Sequence, residues 1–274
     1  MVALEMGLMK RVVVTGSNGK IGQMVMDAWR ESGAYDVVGL ARSEGPYTDI
    51  LADTSDLDAL VQAFAGADAV VHLAGSSAVG SSWEDVLGSN IIGLRNVFEA
   101  ARVAGVPRVV FSSSNHAVGT FEMANSPQIW EIDDPRQIDE TSEIMPDSLY
   151  GVSKAYGEAM ARYYVDHHGL QAVCLRIGGC TGTDSPSAPE NLWKPERDAE
   201  AGIREARMRM RAVWLSNRDC VHLIERSIDA DVRWALVYGI SDNPRKLWDI
   251  DHAREVLGFQ PQDAAPREIF PGVV

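Results

Sequence analysis

"RVVVTGSNGKIGQMVMDAWRES", Arg11 to Ser32, sets the architecture of this chain. "RVVVTG" is a short continuous apolar run ending in glycine, the pattern of a strand buried on both faces. "IGQMVMDAWRES" carries apolar residues at helical spacing, and Gly33 is placed to stop that helix. Between the two stand glycines at 16, 19 and 22. The first permits a tight turn, the second lets backbone approach a pyrophosphate, and the third lets the helix pack close to the sheet. The helix N-terminus then offers free N–H groups and a partial positive charge to an anion. Glycines at this spacing also occur in plain turns. Their position after a buried strand and before a helix, in the first unit of an alternating chain, favours a dinucleotide cradle built from Gly16, Asn18, Gly19, Lys20, Ile21 and Gly22.

The same alternation continues. "YDVVGLA" reads as a second strand, "YTDILAD" as a weaker third and "ADAVVHLAG" as a fourth. "WEDVLGSNIIGLRNVFEAARVAG" reads as one long helix closed by Gly105, and "PRVVFSSS" as a fifth strand. A helix from Tyr150 leads to "QAVCLRIGG". This order predicts an α/β fold, a doubly wound parallel sheet with helices on both faces. A Rossmann core is expected over residues 1–178 and a small substrate-capping region over 179–274. Within the latter, "RWALVYGI" (a strand) and two helices, "SNRDCVHLIERSI" with Ser216 as N-cap and "DIDHAREVLGF", pack back on the core. The stretches Gly119 to Leu149 and Gly178 to Ile203 read as irregular. Both follow strand C-termini, where open α/β sheets bind ligands.

The 274 residues carry 25 basic and 39 acidic side chains, a formal net charge of -14. Such a surface repels nucleic-acid phosphates and anionic membranes. Cys174, Cys180 and Cys220 fall in no metal-binding spacing and read as packing thiols of a cytoplasmic protein, with no metal expected. No signal peptide or membrane span is apparent.

The end of the second strand bears on the choice of nucleotide. A carboxylate there would hold the ribose of NAD, and an arginine the extra phosphate of NADP. The sequence is "GLARSEGP", with Arg42 and Ser43 in place and no carboxylate before Glu44. Arg42 therefore tilts NAD(P) toward NADP. Asp53 and Thr54 are placed for the adenine end, with a helix N-cap, by Thr54 or Ser55, as the competing use.

"YGVSK" sets Tyr150 and Lys154 one turn apart on a helical face. A free tyrosine, with a pKa of about 10, is a poor base at neutral pH. A neighbouring ammonium favours the phenolate, and an oxidised nicotinamide adds to this. Tyr150 could then remove a hydroxyl proton as hydride leaves the same carbon, with Ser114 holding the substrate oxygen. Elsewhere the plain reading is preferred. His72 is a core histidine, His167 and His168 complement a helix C-terminus, and Trp193 and Trp214 are packing residues that could stack on a sugar.

"TGSNGKIG", "FSSS", "YGVSK" and "NIIGLRN" resemble the extended short-chain dehydrogenase/reductase superfamily along the whole chain. The resemblance implies a Rossmann fold with Ser114, Tyr150 and Lys154 as the catalytic set. Lys154 would also touch the nicotinamide ribose, Leu73, Ala74, Gly75 and Ile177 would line the cofactor, and Asn90 would support the site. "SSSNHAVG", "LRIGGC", "RMRAVWLSNRDC" and "VYGISDN" are similar to the uronate dehydrogenase branch and to short-chain-type glucose-6-phosphate dehydrogenases. That likeness implies oxidation of an anionic hexose at its anomeric carbon to a lactone, with Ser77, Asn115, His116 and Arg209 on the sugar. Two features depart from it. The acidic residue expected near position 41 or 42 is absent, and Arg197, Arg204, Arg207, Arg209 and Arg211 crowd the segment before Trp214. They are either a solvated helix face or, if several point inward, a phosphate pocket. Competing functions are a nucleotide-sugar epimerase or dehydratase and a non-catalytic NAD(P) sensor. The resemblance also implies a homo-oligomer in which the helices "NIIGLRNVFEAAR" and "KAYGEAMARYYVDH" pair with a second copy as a four-helix interface.

Overall fold

Val12, Val13 and Val14 are each fully buried, and successive strand residues face opposite sides of a sheet. Val12 and Val14 join one apolar cluster and Val13 the other, so this strand lies between two packed layers. The computed structural model describes residues 9–188 and 199–267; Trp193 and Arg197 lie outside them. Seven parallel strands form one sheet in the order β3-β2-β1-β4-β5-β6-β7. They are β1 (Arg11–Thr15), β2 (Asp36–Ala41), β3 (Ile50–Leu51), β4 (Ala69–His72), β5 (Arg108–Ser114), β6 (Gln171–Ile177) and β7 (Trp234–Gly239). The order reverses between β1 and β4, which is where doubly wound sheets open a crevice for a dinucleotide. The fold is Rossmann-like, as the alternation predicts.

One face of the sheet is covered by α1 (Lys20–Ser32), α8 (Asn217–Asp229) and α9 (Asp251–Leu257), through Val25, Met26, Trp29, Leu223, Ile224 and Leu257. The other is covered by α2 (Leu57–Ala63), α4 (Gly93–Ala104) and α6 (Leu149–His168), through Leu60, Val97, Phe98, Tyr164 and Val165. Ser216 caps α8 by accepting from the Asp219 N–H, as its position suggests.

Three local expectations change. The long helix around Asn90 is interrupted: α3 (Trp83–Val86) runs through a π-helical turn, Leu87–Ile92, into α4. Widened turns of this kind recur at functional sites. The N-cap of α2 is Asp56, accepting from the Ala59 N–H, rather than Thr54 or Ser55. Finally, Gly119 to Leu149 is not wholly irregular, because it contains α5 (Gly119–Asn125) and a short 3-10 turn at Gln128–Trp130, with another just before it at Asn115–Val118. Its acidic surface hides a third apolar cluster, in which Val118, Ile129, Trp130 and Ile138 pack with Met208 and Val213 of α7 (Ala199–Val213) and with Trp248. This cluster caps the sheet on the side that carries the crevice.

Candidate active site

The crevice begins at the turn after β1. Gly16 has φ 75°, and a Cβ there would lie 2.7 Å from the Ala74 nitrogen. A Cβ on Gly22 would lie 2.3 Å from the Gly16 carbonyl oxygen, so both positions require glycine. Gly19 is the N-cap of α1 and brings no side chain to the first N–H groups. The turn, the bare helix end and the absence of side-chain bulk fit a pyrophosphate.

A cleft of about 330 Å³ runs from this turn across the ends of β4, β5 and β6. Gly16, Gly19, Lys20, Ile21 and Gly22 line one end, and Leu73, Gly75 and Ser77 follow β4. Ser114, Tyr150, Lys154 and Ile177 line it as well, together with Asn115, His116 and Arg209. The expected catalytic and sugar-facing residues are thus brought into one cavity.

Other expected residues serve it indirectly. Asn18 does not line the cleft. Its amide donates to Thr48 Oγ1 at 2.6 Å and accepts the Tyr47 N–H at 3.1 Å, tying the glycine turn to the loop after β2. Asn90 is buried, accepts the Ser76 N–H at 2.7 Å and donates to Ser153 Oγ at 2.9 Å, so it braces the Gly75–Ser76 loop against α6. Ala74 backs Gly16 through its main chain. Arg42 and Ser43 are exposed just past β2, and Asp53, exposed past β3, accepts the Ser55 N–H at 2.8 Å. Thr54 is buried with its hydroxyl against Gly93, where a Cβ would come within 2.4 Å, and like Arg42, Ser43 and Asp53 it lies outside the lining of this cleft.

Helix α6 starts at a Ser148 cap that accepts the Gly151 N–H. One turn in, Lys154 Nζ donates to the Ser112 carbonyl at 2.7 Å and lies 5.3 Å from the centre of the Tyr150 ring. Burial brings the Lys154 pKa down to about 8, with the Glu158 charge pulling the other way. Burial also pushes the Tyr150 phenol up; the Ser114 hydroxyl pulls it down, and the Asp147 charge adds to the rise. Among the protein groups burial prevails and the phenol stays raised, while the Lys154 ammonium gives one hydrogen bond to the Ser112 carbonyl. Ser114 Oγ accepts the His116 N–H at 3.2 Å.

Beneath these groups lies a buried network. Glu158 accepts from Ser113 Oγ at 2.6 Å and from Arg176 Nε and Nη2 at 2.9 and 2.8 Å, while Arg176 Nη1 donates to Tyr238 at 2.7 Å. It locks α6, β5, β6 and β7 together where Ser114, Tyr150 and Lys154 emerge. His116 Nδ1 is 2.6 Å from Asp147 Oδ2. Burial works against the Asp147 charge, but His116, Ser148 and the Arg209 charge together outweigh it and hold the carboxyl low. The imidazole edge meets the Tyr150 ring with centroids 5.7 Å apart.

Motif and spacing do not point to Asp147, Glu158 or Glu122, which touch functional residues from behind. Gly119 and Gly151 were the available signal, since a Cβ on either would press on Asp147 or on the His116 carbonyl. Cys180, expected in the core, lines the cleft. Cys174 and Cys220 are buried, as is His72, whose Nδ1 bonds Thr15 Oγ1 at 2.7 Å. Trp214 is a buried packing residue. In the arginine-rich segment, Arg204 is exposed and Arg211 is buried against the Arg267 carbonyl. Of the described arginines there, only Arg209 lines the cleft. Among the described residues, no helix is long and apolar enough to cross a membrane.

The sequence profile described as "NAD dependent epimerase/dehydratase family" matches residues 12–210. An NAD-dependent glucose-6-phosphate dehydrogenase of Haloferax volcanii is 39% identical over 95% of this chain and 96% of its own length. A uronate dehydrogenase of Pseudomonas syringae is 34% identical over 95% of this chain and 84% of its own. The structure of a uronate dehydrogenase from Agrobacterium tumefaciens, a single-residue mutant complexed with NAD, superposes with a TM-score of 0.74. It shares 35% identity over 94% of this chain and 86% of that one. A family pattern reaching from β1 into α7, over a sheet that reverses at the glycine turn, makes this chain a member of the NAD dependent epimerase/dehydratase family.

Proposed function

We propose that the protein is an NAD(P)-dependent sugar dehydrogenase that oxidises the anomeric carbon of an anionic hexose, a uronate or a hexose 6-phosphate, to a lactone. One observation carries this reading: Ser114, Tyr150 and Lys154 share a cleft with Asn115, His116 and Arg209, beside a glycine turn shaped for a dinucleotide. Ser114 and His116 hold the anomeric hydroxyl, and Tyr150 takes its proton. Bound NAD(P)⁺ supplies the hydride acceptor and a positive ring that favours the phenolate. Lys154 keeps its ammonium below pH about 8 and adds to the positive field around the phenol. Arg209 holds the anionic group at the far end, as a guanidinium binds carboxylate or phosphate through paired donors.

Arg42, exposed at the end of β2, is the partner for the NADP phosphate. Arg42→Ala should lower kcat/KM for NADP⁺ by about 10-fold while NAD⁺ changes little, since only one of the two carries that phosphate. The dehydrogenase reading is tested by initial rates with hexuronates and hexose 6-phosphates and both dinucleotides, with the product identified as a lactone. Reduction of the dinucleotide by at least one anionic aldose is expected. No turnover with any of them, together with NAD retained by the purified protein, would favour a nucleotide-sugar epimerase or dehydratase.

A further inference from the structure

Glu122 stands behind the sugar wall of the cleft, on α5. Its side chain is only 6% exposed and does not line the cavity. Yet it bonds two residues that do. Glu122 Oε1 accepts from Asn115 Nδ2 at 2.9 Å, and Oε2 accepts from Arg209 Nε at 3.0 Å. The Arg209 guanidinium also lies over the Trp130 ring, 5.8 Å from its centre. One edge and one face of the guanidinium are therefore fixed. Its two terminal nitrogens have no hydrogen-bond partner among the described residues, and Arg209 lines the cleft.

We infer that Glu122 is the positioning residue that sets specificity for the anionic group of the sugar, acting through Arg209 and Asn115 held as one unit. The inference rests on the proposed dehydrogenase reading, and it assigns Glu122 a role that motif and resemblance do not. A guanidinium on a long side chain loses much of its binding energy if it must be ordered when the ligand arrives. Fixing the Nε edge in advance removes that cost and leaves the paired terminal donors for a carboxylate or phosphate. The same carboxylate orients the Asn115 amide, which sits beside Ser114 on the chain. Glu122 thereby steadies two residues of the cleft wall at once. It does not touch the reacting atoms, so its loss should weaken binding much more than turnover.

The test is a double-mutant cycle with Glu122→Ala, Arg209→Gln and the pair, assayed on a hexuronate, a hexose 6-phosphate and a neutral aldose. Glu122→Ala should raise KM for the best anionic sugar by about 10-fold, keep kcat within about 3-fold, and change the neutral aldose by about 3-fold at most. Arg209→Gln should give a similar loss, and the double variant no further loss, because coupled residues are not additive. Glu122→Gln, which keeps the shape and an acceptor for Asn115, should recover part of the binding. The same cycle read as equilibrium binding, by titration calorimetry with each sugar, does not depend on turnover. If wild-type protein binds the anionic sugars in that cycle but turns over none, the dehydrogenase reading fails and the role of Glu122 in anion recognition stands. Additive losses in Glu122→Ala and Arg209→Gln, or an equal fall in kcat on all three sugars at constant KM, would overturn the inference.

Discussion

Tyr150 and Lys154, the proposed catalytic pair, are held in a condition that costs stability. The Lys154 ammonium is buried, and its pKa falls to about 8 from an ordinary 10.5. Between those values the folded protein binds fewer protons than the unfolded chain, so stability rises with pH across that window. Below about pH 8 the buried charge is a standing cost. Lys154→Met should therefore abolish activity and raise stability at pH 7 by about 1–3 kcal/mol, offset by the lost bond to Ser112. The gain should shrink as pH rises toward 10.5, as urea titrations at several pH values would show. Tyr150→Phe should lower kcat by ~10² to 10⁴-fold with little change in KM, since it removes the proton acceptor and leaves the cleft walls intact. Spacing in the sequence was enough to find this pair. Their electrostatics were not readable there, because burial and the turn of Nζ toward Ser112 depend on β5, 42 residues away.

Helix α6 brings both groups to the cleft and depends on small residues to do so. A Cβ on Gly157 would come within 2.4 Å of the Phe111 ring and 2.9 Å of Leu94. Gly157→Ala should push α6 off β5 and cost about 1–3 kcal/mol, measurable as a lower denaturation midpoint at unchanged m-value. The elements were readable to different degrees. β1, α1 and α8 follow from an apolar run, a helical period and a Ser216 cap, all local signals. Helix α5 escapes a sequence reading because "GTFEMAN" is short, opens on glycine and carries no helical apolar period, whereas Val118 and the Gln128–Trp130 turn are anchored by partners in α7. The π-helical turn at Asn90 was also invisible, since it arises where Asn90 reaches both Ser76 and Ser153. Glu122 follows the Ser114–Asn115 motif and Asp147 precedes Tyr150 by less than one helical turn of sequence. Only the folded chain shows which side chain each one holds.

Across the molecule, the outer faces of α4 and α6 leave Val103, Val152 and Tyr163 more than 40% exposed, and Ile92 is exposed beside them. They stand among charged groups such as Arg95, Arg102 and Arg162, and we propose that they pair with a second copy as a four-helix bundle. Light scattering should give about twice the chain mass, and Val152→Asp should shift the protein toward monomer, as a buried charge at such a face is costly. The net charge of -14 keeps the remaining surface well solvated. The most direct measurement follows deuterium. An anionic aldose deuterated at its anomeric carbon should pass that deuterium to NAD(P)⁺ in the wild-type protein, with a lactone as the other product and almost no transfer in Tyr150→Phe. A reduced dinucleotide free of deuterium, or equal transfer in the two proteins, would contradict hydride removal from that carbon with Tyr150 as the base.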